Sequence, residues 1–169
     1  MAVPDWDSVT IYDIVNGSRE TTMAVPSKSE IQGMALSPDG KQLAVAARDK
    51  PVIMIRDADT GRLLTALLGH NLVITRLEYS PDGKRLLSNT IGSEPVKVWS
   101  TASWKEVSRL EPPPGVYYGE PQFTSDGAGI LVSAYKFGAG SDGARLFRAP
   151  TWEEIAALET RMASENREK

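Results

Sequence analysis

The chain has 169 residues, of which 41% are hydrophobic and 24% charged, and its formal net charge at pH 7 is −3. A chain of this length and apolar content can bury a substantial core as a single domain. Lysine and arginine are scattered, so the sequence indicates no basic surface for a nucleic-acid backbone. The absence of cysteine excludes disulfides, thiolate nucleophiles and zinc thiolate sites.

The start of the chain lacks the features of a signal peptide, because residues 1 to 7 are polar and include an early Asp and Pro. No apolar run approaches the ~18 residues that a membrane-spanning helix needs. We therefore expect a soluble, cytoplasmic protein with neither a membrane nor a nucleic acid as partner.

The first predicted elements in chain order are a strand over 9 to 14 and a short strand over 20 to 24. Asn16-Gly17 lies between them, and this dipeptide accepts the positive φ angles of a two-residue hairpin turn. We interpret residues 9 to 24 as half of a repeating unit.

Three related tetrapeptides define that unit. SPDG occupies 37 to 40 and 80 to 83, and TSDG occupies 124 to 127, so their starts are 43 and 44 residues apart. Proline and glycine preset the φ angles of a tight turn, and alternating apolar runs lie on both sides of each tetrapeptide. Four short strands in a unit of about 40 to 45 residues are typical of a β-propeller blade.

Each full unit is predicted to contribute antiparallel strands, named a to d in chain order. The unit over 31 to 67 gives strands over 31 to 36, 42 to 47, 52 to 57 and 63 to 67. The unit over 74 to 110 gives strands over 74 to 79, 85 to 89, 96 to 100 and 106 to 110. The third unit, over 118 to 159, gives strands over 118 to 123, 129 to 134 and 144 to 148.

The region after the third unit's strand c carries helix signals. Thr151 and Glu154 have the spacing of a capping box, and apolar residues then recur at helical spacing. We expect a short amphipathic C-terminal helix over about 152 to 163 and a frayed polar tail over 160 to 169. The alternative is that this stretch forms strand d of the third unit.

The predicted fold is all-β: a partial β-propeller of about three and a half blades of four-stranded antiparallel sheets, with the short C-terminal helix. Propellers usually close with four to eight blades, and each blade buries both faces against its neighbours. An arc of this size therefore leaves blade faces uncovered. A homodimer, or the missing blades of a longer parent chain, would cover them.

The second unit carries the residues that point to a particular kind of repeat. Gly69-His70 precede strand a, Ser88 lies on strand b and Trp99 lies on strand c. With these residues the chain resembles the WD-repeat (tryptophan-aspartate repeat) β-propeller family over about 9 to 159. It is similar to the C-terminal three to four blades of such a ring.

The resemblance implies that His70, Ser88 and Trp99 form a structural hydrogen-bond network through an aspartate in the turn between strands b and c. At that position this chain has Ser93 and Glu94, so the network is complete only if Glu94 substitutes.

The resemblance also implies a non-enzymatic scaffold that binds proteins or peptides and needs no cofactor. Such propellers bind through the rim and the top face, the end that carries the b–c turns and the d–a loops, and rigid sheets with variable loops suit this role. The resulting binding candidates are Arg48, Lys50, Asn71, Leu72, Arg76 and Tyr117. The plainer alternative for each is a solvated loop residue.

Patterns that suggest chemistry have plainer explanations. His70 is the only histidine, which excludes multi-histidine metal sites. GAGSDG at 138 to 143 matches a dinucleotide-binding glycine pattern, but a strand follows instead of a helix, so we interpret it as a b–c loop. RDADTG at 56 to 61 has its glycine one position too early for a calcium loop, so we interpret it as a hairpin. We predict no catalytic residue and no metal site.

A second hypothesis treats the chain as the propeller portion of a larger enzyme or regulator, of the kinase-fused or the hydrolase and lactonase type. The SPDG repeats alone do not separate it from the scaffold hypothesis. The lack of a second histidine and of an acidic metal cluster argues against a hydrolytic centre within these residues.

Overall fold

The computed structural model describes residues 2–4, 8–12, 19–24 and 30–148. Within these ranges every regular element is a β-strand, and the strands form four antiparallel sheets. The all-β prediction is therefore confirmed for this part of the chain. The helix expected over 152 to 163 and the tail after it lie outside the described residues.

The strands are named in chain order, and each sheet is a contiguous part of the chain. The N-terminal sheet contains β1 (Ala2–Pro4), β2 (Ser8–Tyr12) and β3 (Arg19–Ala24). The first blade contains β4 (Ile31–Leu36), β5 (Gln42–Ala47), β6 (Ile53–Asp57) and β7 (Leu63–Leu67). The second blade contains β8 (Ile74–Tyr79), β9 (Arg85–Thr90), β10 (Val96–Ser100) and β11 (Glu106–Leu110). The third blade contains β12 (Val116–Tyr118), β13 (Gln122–Phe123), β14 (Gly129–Lys136) and β15 (Gly140–Arg148).

The N-terminal sheet has three described strands, one more than the half unit was expected to supply. β2 and β3 are the expected hairpin, and β1 pairs antiparallel with the other edge of β2, with Val3 opposite Thr10. β1 has only three residues, which is too short to show a period-2 alternation, so its pairing with β2 could not be recognised from periodicity.

The inner strand of the third blade is interrupted. β12 and β13 both pair with β14 but are separated by the residues from Gly119 to Pro121. Proline has no N–H to donate to a strand ladder, which is consistent with a break at this point. The continuous strand expected over 118 to 123 is therefore two short strands.

The glycine-rich segment GAGSDG is mostly strand, so its interpretation as a loop was wrong. The β14–β15 hairpin continues to the pair Lys136 and Gly140, and only residues 137 to 139 form the turn. Gly140 and Gly143 lie in β15 with φ angles of 81° and 95°, which glycine adopts without steric cost. The positive φ angles thus serve an irregular strand.

The core lies between consecutive sheets. Val9 of the N-terminal sheet shares a buried cluster with Leu43 of the first blade. Ile55 of the first blade packs in one cluster with Leu77 of the second, and Leu87 of the second blade belongs to a third cluster with residues of the third blade. Sheets that bury their faces against the next sheet along the chain form the partial β-propeller that the repeats predicted.

Strand order places the connections at two opposite ends of the sheets. The a–b turns, which contain the three Asp-Gly dipeptides, and the c–d turns lie at one end. The b–c turns and d–a loops lie at the other end, the top face. No helix long and apolar enough to cross a bilayer occurs among the described residues.

Candidate functional site

A pocket of about 310 Å³ opens on the top face where the second and third blades meet. One wall comes from β8 and the end of β9, and the facing wall comes from the interrupted inner strand of the third blade. Among its lining residues are Arg76, Asn89, Thr90, Ile91, Tyr117 and Glu120. Because strands form both walls, the backbone of the pocket is held by two sheets.

Arg76 and Asn89 are cross-strand partners in the β8–β9 pair, next to a register shift after Ile74. Arg76 Nη2 donates a hydrogen bond of 3.2 Å to Glu78 Oε2. Asn89 Nδ2 donates to two carbonyls of the third blade, Gly119 O at 2.8 Å and Tyr118 O at 3.3 Å. These two bonds fix the orientation of the Asn89 amide and leave its Oδ1 as the remaining acceptor.

Two pocket residues carry buried polar atoms that have no hydrogen-bond partner among the described residues. The atoms are Arg76 Nε and Asn89 Oδ1, and Asn89 is only 4% exposed. The unpartnered Thr90 Oγ1 is not part of this set, because Thr90 follows Asn89 in β9 and its side chain points to the opposite face of the sheet. A buried polar group without a partner costs about 1–3 kcal/mol, so two of them at one pocket call for a physical explanation.

Aromatic rings stack behind the third-blade wall. Tyr117 lies with its ring centroid 5.3 Å from that of Tyr135, at an interplanar angle of 18°, and 5.0 Å from the centroid of Phe137. Gly119 makes this stack fit, since a Cβ at that position would lie 2.6 Å from Tyr135 Cε2. Packing against Tyr135 and Phe137 therefore fixes the Tyr117 ring on this side of the wall.

A hydrogen-bonded chain in the second blade fixes the loop beside the pocket. Trp99 Nε1 donates to Ser88 Oγ at 2.8 Å, and Ser88 Oγ lies 2.7 Å from His70 Nε2. On the other side of the imidazole, His70 Nδ1 lies 3.0 Å from Glu94 Oε2. Glu94 Oε1 accepts the backbone N–H of Asn71 at 2.8 Å. Glu94 thus occupies the place of the acidic residue in the expected network.

The ionisation of the His70–Glu94 pair follows from its surroundings. Burial lowers the pKa of His70 below 6.5, although the hydrogen bond and charge of Glu94 act to raise it. For Glu94, burial acts to raise the pKa, but the hydrogen bonds from Asn71 and His70 outweigh it and leave the pKa below 4.5. At neutral pH the pair is a neutral imidazole and a carboxylate, with the imidazole proton on Nδ1.

Ser88, His70 and Glu94 follow the atom order of a Ser-His-acid triad, but their environment does not suit catalysis. Ser88 is 0% exposed, and its Oγ already accepts the N–H of Trp99. A nucleophile must reach the substrate carbonyl. This arrangement therefore ties two strands to a loop. The described residues also contain no group of three or more acidic or histidine side chains placed to hold a metal ion.

Comparison with known proteins identifies the kind of repeat. No family profile matches the chain. The chain is 26% identical over 128 residues to an uncharacterized WD repeat-containing protein of Synechocystis sp., a match that covers 76% of this chain and 36% of that protein. It is 31% identical over 141 residues to the ciliary WD repeat-containing protein ctxp80 of Euplotoides octocarinatus, covering 82% of this chain and 19% of that protein.

The fold agrees with these matches. A chain in the solved structure of Kuenenia stuttgartiensis hydrazine synthase is similar at a TM-score of 0.63 and 18% identity, covering 84% of this chain and 44% of that chain. At that identity the likeness concerns the fold alone. In sequence the chain resembles WD-repeat proteins, and its fold is that of a partial β-propeller. It spans little more than a third, or less, of the length of the two curated relatives.

The WD-repeat relatives are of a kind that typically serves as a protein-interaction scaffold, so the location of the binding candidates is informative. Arg76 lines the pocket from the second blade. Tyr117 borders it through its main chain, while its ring stacks with Tyr135 on the other face of the third blade. Leu72 lies at its rim, where a Cβ on Gly92 would be 3.4 Å from Leu72 Cδ1. Asn71 is exposed beside Leu72, with its backbone N–H held by the network. Four of the six candidates are therefore in or next to one pocket.

The other two candidates lie on a different part of the top face. Arg48 and Lys50 are exposed in the b–c turn of the first blade. The Arg48 guanidinium is 3.7 Å from the Glu30 carboxylate. Neither residue lines the pocket between the second and third blades.

Sequence reasoning missed Asn89, Thr90 and Glu120. A signal for the first two exists in the alignment of the repeats. β9 carries Asn89 and Thr90 at the positions where β5 carries Ala46 and Ala47. Two adjacent polar residues in place of two buried alanines indicate a local need for hydrogen bonding, which comparison of the units could have revealed.

Proposed function

We propose that this chain is a non-enzymatic interaction scaffold that binds a peptide segment of a partner protein in the top-face pocket between the second and third blades. The observation that carries the proposal is that Arg76 and Asn89 of the second blade and Glu120 of the third blade meet at this pocket. Arginine is among the residues that most often dominate protein-binding energy.

The surroundings of the pocket support binding of a protein segment. Leu72 and Ile91 are 42% and 60% exposed. Ile91 lines the pocket and Leu72 lies at its rim. Large apolar side chains exposed next to a polar pocket are a feature of interaction surfaces.

The charges around the pocket favour recognition by shape and hydrogen bonds. The Arg76 guanidinium is paired with Glu78 at 3.2 Å, and Glu120 adds an exposed carboxylate on the facing wall. The two signs are mixed at short range, so long-range attraction of a strongly charged partner is not the main source of affinity.

Selection of peptide ligands tests the proposal. A random peptide library is displayed on phage and selected against the purified protein, and the affinity of the selected peptides is measured by fluorescence anisotropy. We expect Ile91→Ser and Arg76→Met each to weaken binding by about tenfold or more, because both side chains line the pocket.

Arg62→Met is the matched control, because Arg62 is exposed in a c–d turn at the opposite end of the sheets. It should leave the affinity unchanged. If neither pocket substitution weakens the affinity of the selected peptides, the binding surface lies elsewhere and the proposal is wrong.

A further inference from the structure

We propose that the pocket selects a primary carboxamide, the side-chain group of an asparagine or glutamine in the bound peptide. This inference rests on the proposed function and specifies its ligand chemistry. It is based on the buried polar atoms Arg76 Nε and Asn89 Oδ1, which the fold itself leaves without partners.

The unpartnered atoms form a complementary pair. Arg76 Nε–H can only donate and Asn89 Oδ1 can only accept. Arg76 and Asn89 are opposite each other in the β8–β9 pair, and side chains of such partners lie close together on one face. A ligand that satisfies both therefore needs an acceptor and a donor side by side.

A primary carboxamide has this arrangement, because its C=O and one of its N–H bonds point to the same side. The main-chain amide of a peptide is less suitable, since its C=O and N–H point in opposite directions across the trans bond. The depth of the site supports the same choice. Asn89 is 4% exposed, so a slim terminal group reaches its Oδ1 more readily than a main chain flanked by side chains.

Charged groups of similar shape fit less well. A carboxylate would accept from Arg76 Nε but would oppose a second acceptor to Asn89 Oδ1, with the Glu120 carboxylate also on the pocket wall. An ammonium group would donate to Asn89 Oδ1 but would approach the Arg76 guanidinium. A neutral carboxamide avoids both conflicts, since a polar site rejects an analogue that leaves its buried groups unpaired.

The acceptor is held ready for the ligand. Two hydrogen bonds from Asn89 Nδ2 to the third blade, at 2.8 Å to Gly119 O and 3.3 Å to Tyr118 O, prevent the amide from turning over. Oδ1 therefore keeps its position whether or not a ligand is bound. A preorganised group of this kind raises affinity by lowering the ordering cost of binding.

The test uses small amides as probes on the whole chain. A 15N-labelled sample is titrated separately with acetamide, propionamide, N-methylacetamide, propionate and n-butylammonium, while the Arg76 Nε–H and Asn89 Nδ2–H signals are followed by NMR. We expect saturable shifts with the two primary amides, and binding weaker by about tenfold for each of the other probes.

Arg76→Lys keeps the positive charge but removes Nε, and it should abolish the response of the Asn89 signal. Arg48→Lys is the matched control on the same face, and it should leave the response unchanged. Circular dichroism establishes that each variant is folded.

The two proposals fail in different ways. Selected peptides that bind the pocket but tolerate replacement of Asn by Asp or Gln by Glu would overturn the carboxamide inference alone. Preference for propionate, butylammonium or N-methylacetamide over the primary amides, or unchanged Arg76 and Asn89 signals, would overturn it as well. Primary amides that bind when no peptide can be selected would support the pocket chemistry and contradict the scaffold proposal.

Discussion

Asn89 and Gly119 join two blades through a side-chain to main-chain hydrogen bond, in which Asn89 Nδ2 donates to Gly119 O at 2.8 Å. The two residues are far apart in sequence, one at the end of β9 and the other just after β12. The Asn89 side chain therefore has two roles, since its Nδ2 holds the third blade and its Oδ1 remains available at the pocket.

Two further polar contacts cross the interface between the second and third blades at other positions along the strands. Glu78 Oε1 accepts the backbone N–H of Phe123 at 3.0 Å. Arg85 Nη2 donates to Gly127 O at 2.7 Å, at the end opposite the pocket. These bonds fix the relative position of the second and third blades, on which the shape of the pocket depends.

We predict that Asn89→Ala lowers the free energy of unfolding by about 1–3 kcal/mol, because it removes the Nδ2 donor that bonds the carbonyls of Tyr118 and Gly119 in the third blade. Urea denaturation monitored by tryptophan fluorescence measures the loss. The control is Asn71→Ala, since Asn71 is exposed and its backbone N–H, which the substitution keeps, makes the bond to Glu94. That control should cost less than about 0.5 kcal/mol. Equal effects of the two substitutions would contradict the role of Asn89.

We predict that Gly119→Ala disturbs the aromatic rings that stack behind the third-blade wall of the pocket. The new Cβ would lie 2.6 Å from Tyr135 Cε2, so the ring on which Tyr117 stacks must move. Overpacking of this kind costs about 1–3 kcal/mol. Gly33→Ala is the control, because the atom nearest to its Cβ, Thr75 C, is 3.4 Å away.

A double-mutant cycle shows whether the Tyr135 ring is the cause. The cost of Gly119→Ala should fall in a Tyr135→Ala background, since no ring remains to be displaced. The four unfolding free energies of the cycle are measured by urea denaturation. An equally large cost with and without the Tyr135 ring would mean that the steric account is wrong.

The repeats alone determined most of the blade architecture. The strands predicted over 74 to 79 and 106 to 110 coincide with β8 and β11, because each has apolar residues or turn signals at its ends. These signals are local in sequence. The pocket could not be predicted in the same way, since Asn89 contacts Gly119 only after two blades have packed together.

Glu94 illustrates a partial success. The sequence limited the acidic position of the network to Ser93 or Glu94, and the structure places the Glu94 carboxylate 3.0 Å from His70 Nδ1. What the sequence could not give was the second bond of Glu94, to the backbone N–H of Asn71. The longer glutamate side chain reaches both the imidazole and the loop, a consequence of loop conformation that residue type alone does not specify.

We predict that acidification weakens the fold through His70. Burial holds the pKa of folded His70 below 6.5, while in the unfolded chain the same group has its ordinary pKa of 6.5. Below pH 6.5 the unfolded state therefore binds more protons, and the free energy of unfolding falls until the pH reaches the folded-state pKa. Urea denaturation between pH 7.5 and pH 5 should show this decline, and His70→Asn should reduce its slope.

The same group can be titrated directly, because His70 is the only histidine in the chain. Its Cε1–H signal in a 1H–13C spectrum should give a pKa below 6.5. Glu94→Gln should lower that pKa further, since the hydrogen bond and charge of Glu94 both act to raise it. A pKa at or above 6.5 in the folded protein would contradict the assignment of His70 as a buried neutral imidazole.

The last prediction concerns the turn of the second blade. Ser80 is 0% exposed, and its Oγ donates to Asp82 Oδ1 at 2.6 Å and accepts the backbone N–H of Arg85 at 2.9 Å. The first and third blades repeat this arrangement at the corresponding positions. The initial Ser or Thr of each tetrapeptide is therefore as necessary as the Asp-Gly pair, because it closes the turn from inside.

Ser80→Ala should lower the free energy of unfolding by about 1–2 kcal/mol, since the buried Arg85 N–H loses its side-chain acceptor. It should also raise the pKa of Asp82 toward 3.8, because the hydrogen bond from Ser80 is the main influence that lowers it. Urea denaturation measures the first effect, and a 13C NMR titration of the carboxyl carbon measures the second. Ser108→Ala, at an exposed position of β11, serves as the control and should change neither quantity. A stable Ser80→Ala variant with an unchanged Asp82 pKa would mean that proline and glycine alone form the turn.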